Sequence, residues 1–288
     1  MQRQRLPGTP EPAHYFQGCE DNTIAGDSWG DPGQTAVILL HGGGQTRHAW
    51  KGAGEKLGEA GFYTLSLDLR GHGDSSWIND SVGYTEAKMA ADLACVLEQA
   101  EIRRPILVGA SLGGLTALSA IGQKVVDARA LVLVDIVPGF EEAGARRVLQ
   151  FMAMGQQGFA SLEEVSAAIA MYQPQRKAKR NPDGLAKNIR LGDDGRYYWH
   201  WDPAFLQRSE RDYKTVQAKL HAYAEELTLP TLLVRGGLSD LLTDESTNKF
   251  LNACPHAEYT NITDAAHMVA GDRNDIFTEA VVDFLRRL

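Results

Sequence analysis

Apolar residues fall in short unbroken runs separated by stretches with helical spacing. Thr35–Leu40, Phe62–Leu67, Ile106–Val108, Ala130–Val134, Thr231–Val234 and Ala257–Ile262 read as strands, the unbroken ones as strands buried on both faces. Between them, segments such as Thr85–Ala100 place Met89, Leu93, Val96 and Leu97 on one helical face. A helix from about Arg47 to Ala60 meets Gly61, a natural C′ residue. Strand and helix alternate, which predicts a mainly parallel sheet covered on both faces.

Two regions depart from this rhythm. Residues 1–12 are polar and proline-rich and read as a loose arm. Ala13–Ala25 suits a hairpin turning at Asp21-Asn22, and Gly26–Gly33 is dense in turn residues. Residues 140–225 offer no convincing strand. Glu141–Met154 reads as helix, Ser161–Glu164 as a capping box opening a helix to about Tyr172, and Glu210–Leu227 as helix. Residues 140–210 are therefore expected to form a helical insertion over the sheet. It includes a basic run, Arg176–Arg180, which suits a solvated face. It also holds the aromatic patch Tyr197–Trp201. Trp199 and Trp201 there fit either the insertion's own core or the wall of a substrate pocket.

Three residues stand just past predicted strand ends: Ser111, Asp240 and His267. In a parallel sheet those ends share one edge, where open α/β folds place their sites. A serine hydroxyl attacks only if a base removes its proton, histidine can do so near neutral pH, and a carboxylate orients the imidazole. Gly109-Ala110-Ser111-Leu112-Gly113 follows a strand and opens a helix. The glycines give room for a sharp turn. A second match, Gly26-Asp27-Ser28-Trp29-Gly30, lacks that setting. Asp135 also ends a strand and rivals Asp240 as the acid. His72, with Asp68 and Arg70, reads as support for the edge of the site.

Together, LLHGGG (39–44), DLRGHGDS (68–75), GASLGG (109–114), LVRGGLSD (233–240) and AHMVAGD (266–272) resemble the α/β-hydrolase fold superfamily. Within it they are most similar to the lid-bearing group of serine esterases, cofactor-free haloperoxidases and C–C hydrolases. The resemblance runs from about Thr35 to the C-terminus. It implies an eight-stranded sheet, with 1–139 and 211–288 as core and 140–210 as cap. It further implies Ser111 as nucleophile, His267 as base, Asp240 as acid, and the backbone N–H groups of Gly43 and Leu112 as oxyanion donors. Ala266 stands where many relatives have glycine. Ester hydrolysis through an acyl-enzyme is the expected reaction. C–C cleavage and peracid formation share the same triad, and a non-catalytic binding protein on this fold is the alternative of another class.

Composition narrows the field further. A net charge of −8 over 288 residues disfavours general nucleic-acid binding. Three cysteines without metal-like spacing suit a reducing cytoplasm. No apolar run approaches ~18 residues, so no membrane span is expected. Neither a phosphate loop nor an HExxH pattern is present, so no cofactor or metal is expected. The expected partner is a small acyl substrate, with the protein a monomer or homodimer.

Overall fold

The computed structural model describes residues 3–172, 185–207, 210–263 and 274–288. Eleven strands are named in chain order: β1 (Arg3–Arg5), β2 (His14–Gln17), β3 (Thr23–Trp29), β4 (Ala36–Leu40), β5 (Tyr63–Leu67), β6 (Ile106–Ala110), β7 (Ala130–Val134), β8 (Ile189–Gly192), β9 (Tyr197–Trp199), β10 (Thr231–Gly236) and β11 (Glu258–Ile262). The α-helices are α1 (Lys51–Glu59), α2 (Glu86–Gln99), α3 (Leu112–Gly122), α4 (Glu142–Ala153), α5 (Leu162–Tyr172), α6 (Glu210–Glu225), α7 (Asp244–Ala253) and α8 (Asn274–Leu285).

Eight strands form one sheet in the order β11-β10-β7-β6-β4-β5-β3-β2. β2 and β3 run antiparallel to their neighbours, and the other pairings are parallel. Side-chain alternation divides the apolar runs between two cores. Val37, Leu39, Ile106, Val108, Val132 and Val134 meet Trp50 and Leu57 below α1, with Phe277 and Val281 of α8. Ile38, Leu40, Leu107, Leu131 and Leu133 meet Met89 and Leu93 of α2 and Leu118 of α3 on the opposite face. Complete burial of each such side chain contributes about 1.5–3 kcal/mol, so the sheet is held from both sides.

Helix ends follow local chemistry. Thr85 Oγ1 accepts the Lys88 N–H at 3.2 Å to cap α2. Gly61, at φ +91°, ends α1, and the next residue, Phe62, donates its N–H back to Leu57 O. A 3-10 turn over Arg47–Trp50 replaces the first turn of the predicted helix. The 161–164 signal opens α5 with one change: Glu164 reaches back to the N–H of Ala160, not of Ser161.

Three expectations need correction. The N-terminal arm is not loose: β1 pairs antiparallel with β8, Arg5 opposite Arg190. The stretch between β7 and β10 is not purely helical, because β8 and β9 form a hairpin within a three-stranded sheet, β1-β8-β9. Both strands are short, and the third comes from the far end of the chain, so no local pattern announces them. Last, β3 runs on through Gly26 and Asp27 to Trp29 and pairs with β5 where turns were expected. Arg176–Arg180 and His267 lie outside the described residues. Among the described residues, no helix is long and apolar enough to cross a membrane.

Candidate active site

β6 delivers Ser111 to the sheet edge, and α3 begins at the next residue. Ser111 has φ 47° and ψ −116°, a backbone conformation costly for any side chain but glycine's. Sterics around it explain the flanking glycines. A Cβ at Gly109 would lie 2.4 Å from Gly113 C, and one at Gly113 would lie 2.2 Å from Leu40 O. Strand β6, helix α3 and strand β4 therefore close on one another only without those side chains. The Ser111 N–H donates to Val134 O at 3.1 Å, and its side chain makes no helix-cap bond. Leu112 is the first residue of α3, so its N–H has no partner one turn back and lies at the positive end of the helix.

The loop after β4 approaches from the other side. A Cβ at Gly42 would sit 3.4 Å from Ser111 Cβ. Gly42 O accepts the Gln45 N–H at 3.1 Å and lies 2.7 Å from His41 Nδ1. His41 Nε2 accepts the Leu69 N–H at 3.0 Å, so the ring proton sits on Nδ1 and is given to Gly42 O. Burial pulls the His41 pKa down to about 4, which keeps the ring neutral. Among the described residues no peptide bond is cis, so the Gly43 N–H points opposite to the anchored Gly42 carbonyl. Gln45 Oε1 accepts the Gly42 N–H at 2.9 Å and completes the loop.

Two carboxylates stand near this edge. Asp135 follows β7, is fully buried and has φ 51°. Its Oδ1 accepts the Gly236 N–H at 2.9 Å, and its Oδ2 accepts the Ser239 hydroxyl. Asp240 is 35% exposed at its side chain and pairs with Arg147 of α4 at 2.6 Å. Ser239 Oγ also accepts the Leu241 N–H at 3.1 Å, so the loop carrying Asp240 is folded around Asp135.

The turn after β5 is structural. Asp68 accepts from the N–H and Nη1 of Arg47, each at 2.6 Å. Arg70 grips Asp92 with two bonds, at 2.6 and 2.7 Å. His72 is buried and donates from Nδ1 to Arg70 O at 3.2 Å; burial, with His41 nearby, lowers its pKa to about 3. His200 is fully buried and also held neutral by burial. Its Nδ1 accepts the Gly73 N–H at 2.7 Å, and Nε2 faces Gly44 O at 3.4 Å. The segment between β7 and β10 is thereby tied to both loops. Ser28, in the second GxSxG, lies within β3 and bonds His14 Nε2 at 2.7 Å, with no helix after it.

Trp199 and Trp201 are buried and stacked, with ring centres 4.9 Å apart. Their indole N–H groups donate to Met154 O and Met152 O. A Cβ at Gly44 would lie 3.5 Å from Trp201 Cζ3 and 3.2 Å from Met152 Cγ. Met152 was not singled out from sequence; it looks like one more apolar position on an amphipathic helix.

A serine at a sharp turn between strand and helix, a glycine loop beside it and an eight-stranded, mostly parallel sheet are the arrangement of the α/β-hydrolase fold. The model of the alpha/beta hydrolase fold matches residues 35–273, and the chain belongs to that family. It is similar to the esterase Rv0045c of Mycobacterium tuberculosis, 31% identical over 282 residues, spanning 95% of this chain and 90% of the relative. It is also similar to a 3-hydroxybutyrate-oligomer hydrolase of Cupriavidus necator, 24% identical across 85% of this chain and 86% of that protein. In structure it resembles an E-2-(acetamidomethylene)succinate hydrolase, with TM-score 0.82, 22% identity and coverage of 95% and 100%. The M. tuberculosis esterase aligns with TM-score 0.72 and 27% identity, over 99% and 92% of the two chains.

Proposed function

We propose that the protein is a serine hydrolase of small or medium carboxylic esters. The observation that carries this is the left-handed backbone of Ser111 between β6 and α3, beside a loop whose Gly42 carbonyl is pinned. The names of the two relatives, an esterase and an oligomer hydrolase, agree with hydrolysis.

In this reading Ser111 Oγ attacks the ester carbonyl carbon while His267 takes the hydroxyl proton. The Gly43 and Leu112 N–H groups hold the oxygen as it gains charge, each donor worth roughly 2.7–4 kcal/mol of barrier. His267 returns the proton to the departing alcohol, leaving an acyl-enzyme. Water, activated by the same imidazole, then releases the acid. Chain order assigns the orienting carboxylate to Asp240. Asp135 is the second reading, favoured by its complete burial and its hydrogen bonds, whereas Asp240 is engaged by Arg147. The stretch from 140 to 210 serves as a cap over the site, with Trp199 and Trp201 beside the acyl path.

A fluorophosphonate probe tests the core of this. Wild-type protein takes up one label, and Ser111→Ala takes up none. Labelling that survives the substitution overturns the assignment. Activity on short p-nitrophenyl esters falls at acid pH as the base protonates, whereas a pH-independent rate removes His267 from its role.

A further inference from the structure

A cleft of about 280 Å³ lies where the turn after β5 meets β1 and β8, with Arg5, Asp74, Trp77, Arg190 and His200 among its walls. Neither Ser111 nor the glycines after β4 line it. Arg5 stands directly opposite Arg190 in the antiparallel pairing of β1 with β8, and like charges so placed repel. Arg190 is 5% exposed. Its Nη2 donates to Gly73 O at 2.6 Å and to Asp74 Oδ1 at 2.9 Å, and its Nη1 to Ile189 O at 3.0 Å. Arg5 is less settled. Its Nη2 meets the exposed Glu11. Its Nη1 is buried without a hydrogen-bond partner, 3.7 Å from Asp74 Oδ2 and so beyond hydrogen-bond reach.

Asp74 is the one carboxylate among the lining residues, and it does not answer both arginines. Its Oδ2 already accepts Arg47 Nη1 at 2.8 Å. Over the wider network the charges balance closely: Arg5, Arg47 and Arg190 against Glu11, Asp27, Asp68 and Asp74. Yet Asp27 and Asp68 are committed to Arg47, and the Glu11 side chain is 73% exposed. What faces the cleft is two cations and one shared anion. Burial lowers the Arg190 pKa, and Arg5 and Arg47 add to that against the pull of Asp74 and Asp68. A further negative charge beside Arg190 corrects the same imbalance.

We propose that this cleft binds a phosphate group, held between Arg5 and Arg190, which locks β1 onto β8. Guanidinium forks match phosphate oxygens two at a time. A phosphate monoester carries a charge of about −1.5 to −2 near neutral pH, enough to answer both arginines where a carboxylate answers one. The Trp77 indole N–H is given to His200 O at 3.2 Å, so its ring offers an apolar wall to whatever the phosphate carries. The ligand class is a phosphate monoester, and the inference does not depend on the ester-hydrolase reading.

Inorganic phosphate and glycerol 3-phosphate are the probes, with sodium chloride at matched ionic strength as the reference. Both phosphates are expected to raise Tm by a few degrees near saturation and to slow hydrogen exchange at the β8 amides. In a calorimetric titration, Arg5→Gln should weaken binding about tenfold or more, the loss of a charge-assisted contact. Arg5→Lys, which keeps the charge without the fork, should recover part of it. Glu11→Gln removes the competing acid and should tighten binding about threefold. Chloride that stabilises as well as phosphate refutes the site, as does wild-type affinity in Arg5→Gln. Succinate binding as tightly overturns the choice of phosphate. If Arg5→Gln loses its fold, Glu11→Gln carries the test, and an unchanged affinity there counts against the site. Vesicles of phosphatidate and of phosphatidylcholine identify the source. Sedimentation with phosphatidate alone, lost in Arg5→Gln, places the phosphate on a lipid, and glycerol 3-phosphate binding without sedimentation places it on a soluble ligand.

Discussion

Ser111 and Asp135 stand one residue beyond the paired ends of adjacent strands, Ala110 opposite Val134, and both hold a left-handed backbone, at φ 47° and 51°. Each such residue costs on the order of 1–3 kcal/mol. The cost is borne because neighbouring strands fix both: the Ser111 N–H bonds Val134 O at 3.1 Å, and the Asp135 N–H bonds Val234 O at 2.7 Å. Ser111 and a buried carboxylate are thus set side by side by the register of one sheet.

That arrangement separates the two candidate acids by experiment. With Asp135 as the orienting group, Asp135→Asn lowers kcat by about 10⁴-fold, changes KM little and shifts the acid limb of the pH–rate profile. Asp240→Asn, which loses an exposed pair with Arg147, then costs less than about tenfold. The reverse order of effects returns the role to Asp240. Melting curves of both variants separate loss of chemistry from loss of fold.

Glycine sterics at the elbow give a second expectation. Gly113→Ala places a Cβ against Leu40 O, and the strand cannot yield without breaking the sheet. Loss of more than about 3 kcal/mol is expected, read as a lower urea midpoint. Gly195, at φ +76° with nothing within 4 Å of its built Cβ, is the control. There alanine should cost only about 1–2 kcal/mol, the backbone penalty alone.

Stability should depend on pH through the buried imidazoles. His41, His72 and His200 are neutral in the fold, with pKa values pulled down to about 4, about 3 and well below the ordinary value by burial. In the unfolded chain they titrate near ~6.5. Below that pH the unfolded state binds more protons, so their stabilisation is complete above ~6.5 and is lost as pH falls toward the folded values. Scanning calorimetry from pH 7.5 to 5.5 should show Tm falling by several degrees. His200→Gln should flatten the slope by about one proton. A Tm independent of pH over this range contradicts the neutral burial of all three.

Gln45 offers a test of the oxyanion role proposed for the glycine loop after β4. Its Oε1 is the acceptor for the Gly42 N–H. Gln45→Ala frees the His41–Gly42 peptide, the one before the peptide that carries the Gly43 N–H, and loosens the loop around it. A fall in kcat of about 10–100-fold with nearly unchanged KM is expected, part of the cost of losing an oxyanion donor. A change confined to KM would assign the loop to substrate binding instead.

Much of the sheet and the elbow was legible because the forces that set them act over a few residues. Strand β6, Gly109, Ser111, Gly113 and α3 form one continuous stretch, and the clash each glycine avoids lies within that stretch or on β4. The choice between the two carboxylates was harder to read, since Asp135 finds its partners a hundred residues later, at Gly236 and Ser239. Strands β8 and β9 escaped notice for a related reason. Their alternation is only three or four residues long, and the aromatic patch around them suits a core or a pocket equally. Met152 carried no signal at all: its approach to Gly43 and Gly44 is visible only in the tertiary contact.

The pairing of β1 with β8 orders events during folding. A two-stranded hairpin such as β8–β9 is marginal alone, and its third strand lies nearly two hundred residues earlier in the chain. That strand has no partner until the hairpin emerges nearly two hundred residues later. The three-stranded sheet therefore closes only once β8 and β9 have been made, and its completion is a long-range step. A protein missing its first six residues should retain the eight-stranded core yet exchange the amide hydrogens of β8 far faster.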